Sequence, residues 1–337
     1  MREYTLQVER GENLSHDEIT IVMELIMSGH ATTDEIKHFL LALNKKGPTV
    51  EEITACALIM RRFVLPVTTR HKVILDVVGT GGDHKNTFNI STLTAVVVAS
   101  CGVAVAKHGN RRVSSLCGSA DVLEALGVNV QVEEKHLGAA LDSIGLAFLF
   151  AQRLHPAMKN VAPARQDLGV KTIFNILGPL TNPARATHQI MGVYSRDLVE
   201  PMARVLQNLG LQRALVVHGN DGLDEITTTD KTFVSEFNGS QIISYDIDPE
   251  ELGVPRASIE DLSGGDARDN AAIAGAVLCG QRGPKRDIVL VNAAYALYTA
   301  QAAGTLKQGM IMAQQAIDSK QALHKLEELK EFTNRVF

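Results

Sequence analysis

Three clusters in this 337-residue sequence carry residue types suited to holding an anion or its counter-cation. The first is Gly79-Thr80-Gly81-Gly82-Asp83, which follows the apolar run Val73-Ile74-Leu75 and leads into Thr87, Asn89, Ile90, Ser91 and Thr92. Glycine inside a helix or strand costs about 0.5 to 1 kcal/mol relative to alanine, so close-set glycines imply backbone that must approach something closely. The spacing is not the dinucleotide fingerprint, whose third glycine would fall on His84, and no Gly-Lys-Ser/Thr follows to make a Walker loop. A glycine turn ahead of a helix start still presents N–H groups and hydroxyls at a positive helix end, which makes a phosphate cradle of a less common kind. A tight turn capped by Ser91 is the alternative.

The second cluster is Lys107-His108-Gly109-Asn110-Arg111-Arg112-Val113-Ser114-Ser115, with Gly118-Ser119 opening the next helix. Lys107 and Arg111 would add positive charge to a polyphosphate held by the first loop; a solvated basic turn is the bland reading. The third is Asp221-Gly222-Leu223-Asp224-Glu225. In a glycine-containing loop both carboxylates can converge on one cation, and Mg²⁺ takes hard oxygen ligands and shares them with substrate phosphates; an exposed acidic loop is the alternative. Arg165 could offer a two-pronged guanidinium to a substrate carboxylate, or lie on the surface. His155, His188 and His218 have no serine or cysteine nucleophile at a recognised spacing and read as structural.

These residues must be positioned by two kinds of element. Ser15-x-x-Glu18, Thr32-x-x-Glu35 and Thr49-x-x-Glu52 have capping-box spacing, and apolar residues at helical intervals follow the first two. Residues 1–68 therefore read as a small all-helical unit. Beyond Pro66, β-rich runs alternate with helical patterns: Val73–Val78, Val103–Ala106, Val128–Val132, Ala147–Phe150, Ala214–Val217 and Asp287–Val291. That alternation predicts an α/β fold with a mostly parallel sheet flanked by helices, its ligands beyond the carboxyl ends of the strands. A stretch at about 155–185 breaks the pattern and is read as a crossing back to the helical unit. Residues 69–154 and 186–337 then form the α/β part, and the chain from Ala293 is helical, punctuated by Gly304 and Gly309. Gly264-Gly265-Asp266 is read as a turn before a helix at Asn270–Leu278.

A net charge of −5 supplies no overall field for nucleic acid or an anionic membrane. Cys56, Cys101, Cys117 and Cys279 stand far apart without metal-ligand spacing, as expected of buried thiols in a reducing cytoplasm. The longest apolar stretch, Leu93–Ala106, is broken by Thr94, Ser100 and Gly102 and is shorter than the roughly 18 residues a membrane span requires. The N-terminus has no apolar core of a secretory signal.

Six motifs in register make the sequence resemble the anthranilate phosphoribosyltransferase family of tryptophan biosynthesis over nearly its whole length. They are Gly79–Asp83, Asn89–Thr92, Lys107–Arg111, Gly118–Asp121, Thr172–Leu180 and Asp221–Glu225. The resemblance implies a helical domain hinged to a nucleoside-phosphorylase-like α/β domain, in a homodimer formed through the helical part. It also implies Mg²⁺-dependent transfer of phosphoribose from phosphoribosyl pyrophosphate (PRPP) to the amine of anthranilate. On that resemblance Gly79, Gly82, Asp83, Thr87, Asn89 to Thr92, Lys107 to Ser115 and Ser119 hold PRPP. Ser91, Asp224 and Glu225 bind Mg²⁺, and Gly79, Asn110 and Arg165 contact anthranilate; no nucleophile or general base is assigned. A pyrimidine nucleoside phosphorylase would share the fold, and a non-catalytic nucleic-acid-binding relative is a further alternative. His84 stands where the family pattern has glycine, and Lys171 where arginine is commoner.

Overall fold

In the computed structural model, which describes residues 1–112 and 116–335, all three capping boxes are formed. Ser15, Thr32 and Thr49 each accept from the N–H three residues on, and Glu18, Glu35 and Glu52 return a bond to the cap's own N–H. The helices they start, His16–Met27, Thr33–Lys46 and Val50–Met60, bury Ile19, Met23, Ile26, Phe39, Leu40 and Ile53 in one core. A fourth helix, Arg2–Glu9, precedes them without a side-chain cap, and for that reason the sequence did not signal it. Glu52 is buried, and its charge is met by Lys46 Nζ at 2.7 Å and the Leu14 N–H at 2.9 Å; a buried carboxylate requires that pairing.

Among the described residues seven strands form one sheet: β1 (Leu75–Gly79), β2 (Val105–Gly109), β3 (Leu146–Phe150), β4 (His188–Gly192), β5 (Arg213–Gly219), β6 (Thr232–Phe237) and β7 (Ile242–Ile247). Their order is β3-β2-β1-β4-β5-β6-β7. The first five run parallel, while β6 and β7 extend the sheet as antiparallel strands. Strand order reverses between β1 and β4, where Gly79 stands opposite Gly192. Such a switch opens a crevice at the carboxyl ends of the strands, the usual place for a ligand.

Two expected strands are absent. Val128–Val132 is turn and coil: Val128, Val130 and Val132 are buried on alternate residues, as in a strand, but among the described residues no strand pairs with them. Asp287–Val291 lies within the helix Pro284–Thr299, which is buried on nearly every side, so its apolar run carries no helical period. The strands β4, β6 and β7 were not anticipated; β4 buries His188 and Gln189, which broke its apolar pattern.

The crossing segment leaves the end of β3 and returns to β4, and Val161, Ala164, Phe174, Leu177 and Leu180 along it join the core of the N-terminal helices. That core continues into Met202 and Leu206 of the helix Val199–Asn208 on the sheet, against which Val50–Met60 packs. A second core lies on the sheet's other face, under Ile90–Ser100, Ala267–Leu278, Pro284–Thr299, Leu306–Asp318 and Gln321–Thr333. Gly309, expected as a break, is inside Leu306–Asp318, where a Cβ would come within 2.7 Å of the Ala294 carbonyl. Asp266 caps Ala267–Leu278, as the turn reading implied. Among the described residues no cysteines pair in a disulfide; Cys56 and Cys117 are buried, whereas Cys101 is half-buried and Cys279, just past the end of a helix, is exposed, against expectation. Among the described residues no helix is long and apolar enough to cross a membrane.

Candidate active site

The glycine cluster leaves β1 at the strand-order switch and is pinned from the sheet. Thr80 donates its N–H to Gly192 O at 2.9 Å, its Oγ1 accepts from the Tyr194 N–H at 3.1 Å, and the Gly81 N–H donates to Asp224 Oδ2 at 2.7 Å. Gly81 and Gly82 have φ of 66° and 81°, and His84, at the position where glycine was expected, has φ of 58°. The turn therefore does use left-handed backbone at His84, a residue type that tolerates it better than most. Thr87 forms an isolated bridge with Ser263, and Gly264 donates to Asn86 O at 2.9 Å. The second Gly-Gly-Asp thus braces the chain just beyond the first, a contact the sequence did not signal.

The helix Ile90–Ser100 then begins with Asn89 as its cap residue but with no side-chain cap bond. Asn89 instead links Cys117 O, at 3.1 Å, with Asn270 Nδ2, at 3.0 Å. Ile90 is buried, so it can offer only backbone; Thr92 is buried, its hydroxyl without a partner among the described residues. The Ser91 N–H, in the first turn, donates to Glu225 Oε1 at 3.1 Å. Ser91 therefore does not cap this helix.

Lys107 reaches the same place from β2. Buried, it donates to Val77 O at 2.8 Å and to Ser91 Oγ at 3.1 Å. Burial lowers its pKa, while Asp76, Glu225 and Asp224 favour its charged form. Asp76, fully buried beside it, accepts from Asn182 Nδ2 at 2.7 Å and from the His108 N–H at 3.0 Å, and burial pushes its carboxyl up to about 6. Asp224 and Glu225 keep a partial opening to the cleft, yet both are raised well above the ordinary carboxylate range. Desolvation is the chief cause, followed by neighbouring negative charge: Asp83 for Asp224, and Asp224 for Glu225. The expected acidic pair is thus gathered with Ser91 and Lys107, and Asp83 joins it through a side-chain contact with Asp224.

Glycines make room for this arrangement. A Cβ on Gly79 would fall 2.3 Å from Asp224 Oδ2, and one on Gly192 would fall 1.6 Å from Asp224 O. Asn292, fully buried, holds the following residue by accepting from the Ile226 N–H and donating to its carbonyl. Among the described residues no three His, Cys, Asp or Glu side chains form a closed metal cage. Two desolvated carboxylates with a hydroxyl nearby are suited to supply part of the oxygen set of a cation, the rest coming from substrate oxygens and water.

In the second loop Arg111 is paired with acidic residues that the sequence did not signal. Its guanidinium contacts Glu124 through two nitrogens, at 2.6 and 2.8 Å, and Asp121 at 3.0 Å, and lies over Phe150. Arg112 donates its N–H to Asp121 at 3.0 Å. Gly109 has no space for a side chain, with Phe148 and Ser119 against it. Asn110 is exposed, and Ser119 is the first residue of Ser119–Ala125. Val113, Ser114 and Ser115 lie outside the described residues.

Arg165 sits on the helix Ala162–Leu168, half-buried, its guanidinium 6.0 Å from the centre of the Phe174 ring. Burial lowers its pKa, and among the described residues it has no carboxylate partner. A partly desolvated guanidinium without an anion is suited to receive one. Nearby along the crossing segment, His155 Nε2 lies 3.0 Å from His108 Nε2, and His108 also bonds the Gly178 carbonyl. Burial holds both imidazoles below their usual pKa, His155 at about 4, so the pair is neutral near neutral pH.

A helical bundle beside a switched parallel sheet places the chain in a glycosyl transferase family, whose models match both parts. Residues 2–64 match the family model "Glycosyl transferase family, helical bundle domain" and residues 71–323 match "Glycosyl transferase family, a/b domain". The chain is 53% identical over 321 residues to anthranilate phosphoribosyltransferase of Moorella thermoacetica, covering 95% of each chain. It is 50% identical over 324 residues to that of Acetivibrio thermocellus, covering 96% of this chain and 94% of the other. The crystal structure of the Thermus thermophilus enzyme superposes with a TM-score of 0.94 at 42% identity, over 98% of this chain and 99% of that one. A Saccharomyces cerevisiae anthranilate phosphoribosyltransferase in complex with PRPP and Mg gives 0.87 at 29% identity, over 95% and 93%. The chain belongs to the anthranilate phosphoribosyltransferase family. Its reaction is transfer of the phosphoribosyl group of PRPP to the amine of anthranilate, in tryptophan biosynthesis, which replaces the phosphorylase and nucleic-acid readings.

Proposed function

We propose that PRPP lies across the carboxyl ends of β1, β2 and β5, with Mg²⁺ beside Asp224, Glu225 and Ser91 and with anthranilate reaching in from Arg165. The observation that carries this reading is the gathering of Asp224 and Glu225, desolvated and raised in pKa, opposite Lys107 and Ser91. Carboxylates pushed this far from their ordinary range favour a bound cation, because it restores their charged form. Gly79, Gly82, Asp83, Thr87 and Asn89 to Thr92 form the wall that faces the donor. Lys107 to Asn110, Arg112 and Ser119 form the opposite wall, and Arg111 shapes it through Asp121 and Glu124.

Breaking the bond from the ribose anomeric carbon to pyrophosphate leaves positive character on the sugar and negative charge on the leaving group. Charge stabilisation is therefore the main catalytic task, and no covalent nucleophile is needed. Mg²⁺, when bound, would offset the charge of the departing pyrophosphate. Lys107 holds an ammonium beside Ser91, and the first turn of Ile90–Ser100 adds the positive end of a helix dipole. Arg165 fixes the acceptor by its carboxylate, so that the amine meets the anomeric carbon as a neighbour rather than by random encounter. Gly79 and Asn110 line the acceptor's approach. The exposed Leu6, Ile21, Leu41 and Leu58 of the N-terminal helices are suited to a homodimer contact, and cysteines without a disulfide among the described residues agree with a reducing, cytoplasmic setting.

The test mixes protein, anthranilate, PRPP and Mg²⁺ and follows the loss of anthranilate fluorescence, with metal omitted as control. Changing Asp224→Asn together with Glu225→Gln should abolish the response to Mg²⁺; an unaltered metal dependence would place the cation elsewhere.

A further inference from the structure

Lys171 touches three parts of the molecule that the reaction must keep in register. Its ammonium donates to the carbonyl of Gly82 at 3.0 Å and lies 3.6 Å from the centre of the Tyr194 ring. The backbone N–H of that tyrosine holds Thr80 Oγ1 at 3.1 Å, so ring and loop are already tied together. The carbonyl of Lys171 accepts Asn44 Nδ2 at 2.5 Å, from the helix Thr33–Lys46 of the bundle.

The physical consequence concerns one peptide plane. Gly82 has φ of 81° and no side chain, so nothing intrinsic fixes the direction of its carbonyl. In a trans peptide the C=O and the following N–H point opposite ways, so an ammonium that captures Gly82 O also sets where the Asp83 N–H points. Thr80 and Gly81 are anchored from the sheet, whereas the Gly82 carbonyl is held from the crossing segment. Lys171 is exposed, and a contact of this kind competes with water, so its loss should not unfold the chain.

We propose that Lys171 is a positioning residue for the donor: it orients the Gly82–Asp83 peptide of the glycine loop and, through Asn44, ties that orientation to the placement of the helical bundle. This rests on the reading that the glycine loop holds PRPP.

The experiment compares Lys171→Met, Lys171→Arg and Asn44→Ala with the unaltered protein, measuring KM for each substrate, kcat and the thermal midpoint. Lys171→Met should raise KM for PRPP about tenfold, the size expected for one charge-assisted hydrogen bond. KM for anthranilate and the thermal midpoint should stay at their starting values. Lys171→Arg should recover most of the loss, since a guanidinium can bond the carbonyl and stack on the ring. Asn44→Ala should raise KM for PRPP in the unaltered background and have little further effect alongside Lys171→Met. An unchanged KM for PRPP in Lys171→Met, an equal rise for both substrates, or an arginine variant no better than methionine would overturn the proposal. Ser91→Ala separates the two readings. If it raises KM for PRPP while Lys171→Met does not, only the role of Lys171 fails; if neither does, the donor site itself is misplaced.

Discussion

Alanine at Gly79 would test the acidic pair without altering any charge. The added Cβ would lie 2.3 Å from Asp224 Oδ2 and 2.9 Å from its Cγ. Asp224 cannot retreat as a unit, because its own carbonyl is pressed against Gly192, where even a Cβ would sit 1.6 Å away. The carboxylate must therefore swing by about 1 Å, and a misplacement of that size at a reacting constellation costs on the order of 100-fold in rate. That is about 2.7 kcal/mol of lost transition-state stabilisation. Crowding should also cost the fold about 1 to 3 kcal/mol, a shift in melting temperature and not a failure to fold. Fluorescence-monitored turnover of anthranilate across a Mg²⁺ titration, run beside thermal unfolding, separates the two effects. The expected result is a folded protein with kcat/KM reduced about 100-fold and more Mg²⁺ needed for half-maximal rate. A kcat/KM and Mg²⁺ titration equal to those of the unaltered protein would refute the reasoning, because Asp224 would then be free to move without consequence.

Arg165→Ala should weaken anthranilate use by about ten- to a hundredfold, the worth of a charge-assisted hydrogen bond, and leave PRPP nearly unaffected; steady-state kinetics with each substrate varied would show it, and equal losses would remove Arg165 from that role. Burial raises the carboxyls of Asp76, Asp224 and Glu225, so the folded protein keeps protons that the unfolded chain has released. Their stabilising contribution is complete below about pH 4 and is lost as pH rises from there to about 8. The metal-free melting temperature should fall over that range, and saturating Mg²⁺ should restore it more at the upper end; no effect of Mg²⁺ there would count against the cation site. His84→Gly should change stability by less than about 1 kcal/mol, since relief of left-handed strain and added chain entropy nearly cancel. His84→Val should be clearly less stable in urea, because a β-branched residue at this φ is an outlier.

Local signals in the sequence were legible wherever one residue's chemistry determined the outcome. Ser15, Thr32 and Thr49 each satisfied an orphan helix N–H, so three helix starts could be placed to the residue. The glycine loop and Asp224-Glu225 were likewise readable, because few other roles explain those residue types together. What could not be read depended on partners distant in sequence. The run Asp287–Val291 resembles a strand because the helix containing it is buried nearly all round, and β4 was hidden because its inward-facing His188 and Gln189 are polar. Arg111 was expected to meet phosphate, and only the fold shows Asp121 and Glu124 within its reach. Asp76 gave no signal either, since a lone aspartate in a strand becomes notable only once Lys107, Asn182 and His108 surround it.

The apolar core shared by the N-terminal helices and the sheet limits how the cleft can breathe. Because Ile19 and Phe39 belong to the same dry interior as Met202 and Leu206, the bundle cannot part from the sheet without flooding that interior with water. Arg61 stitches the seam by donating to Leu180 O at 2.8 Å and to Leu209 O at 3.4 Å. Any movement of bundle against sheet must therefore keep that apolar seam covered, so a change buried in it should alter turnover while touching neither substrate.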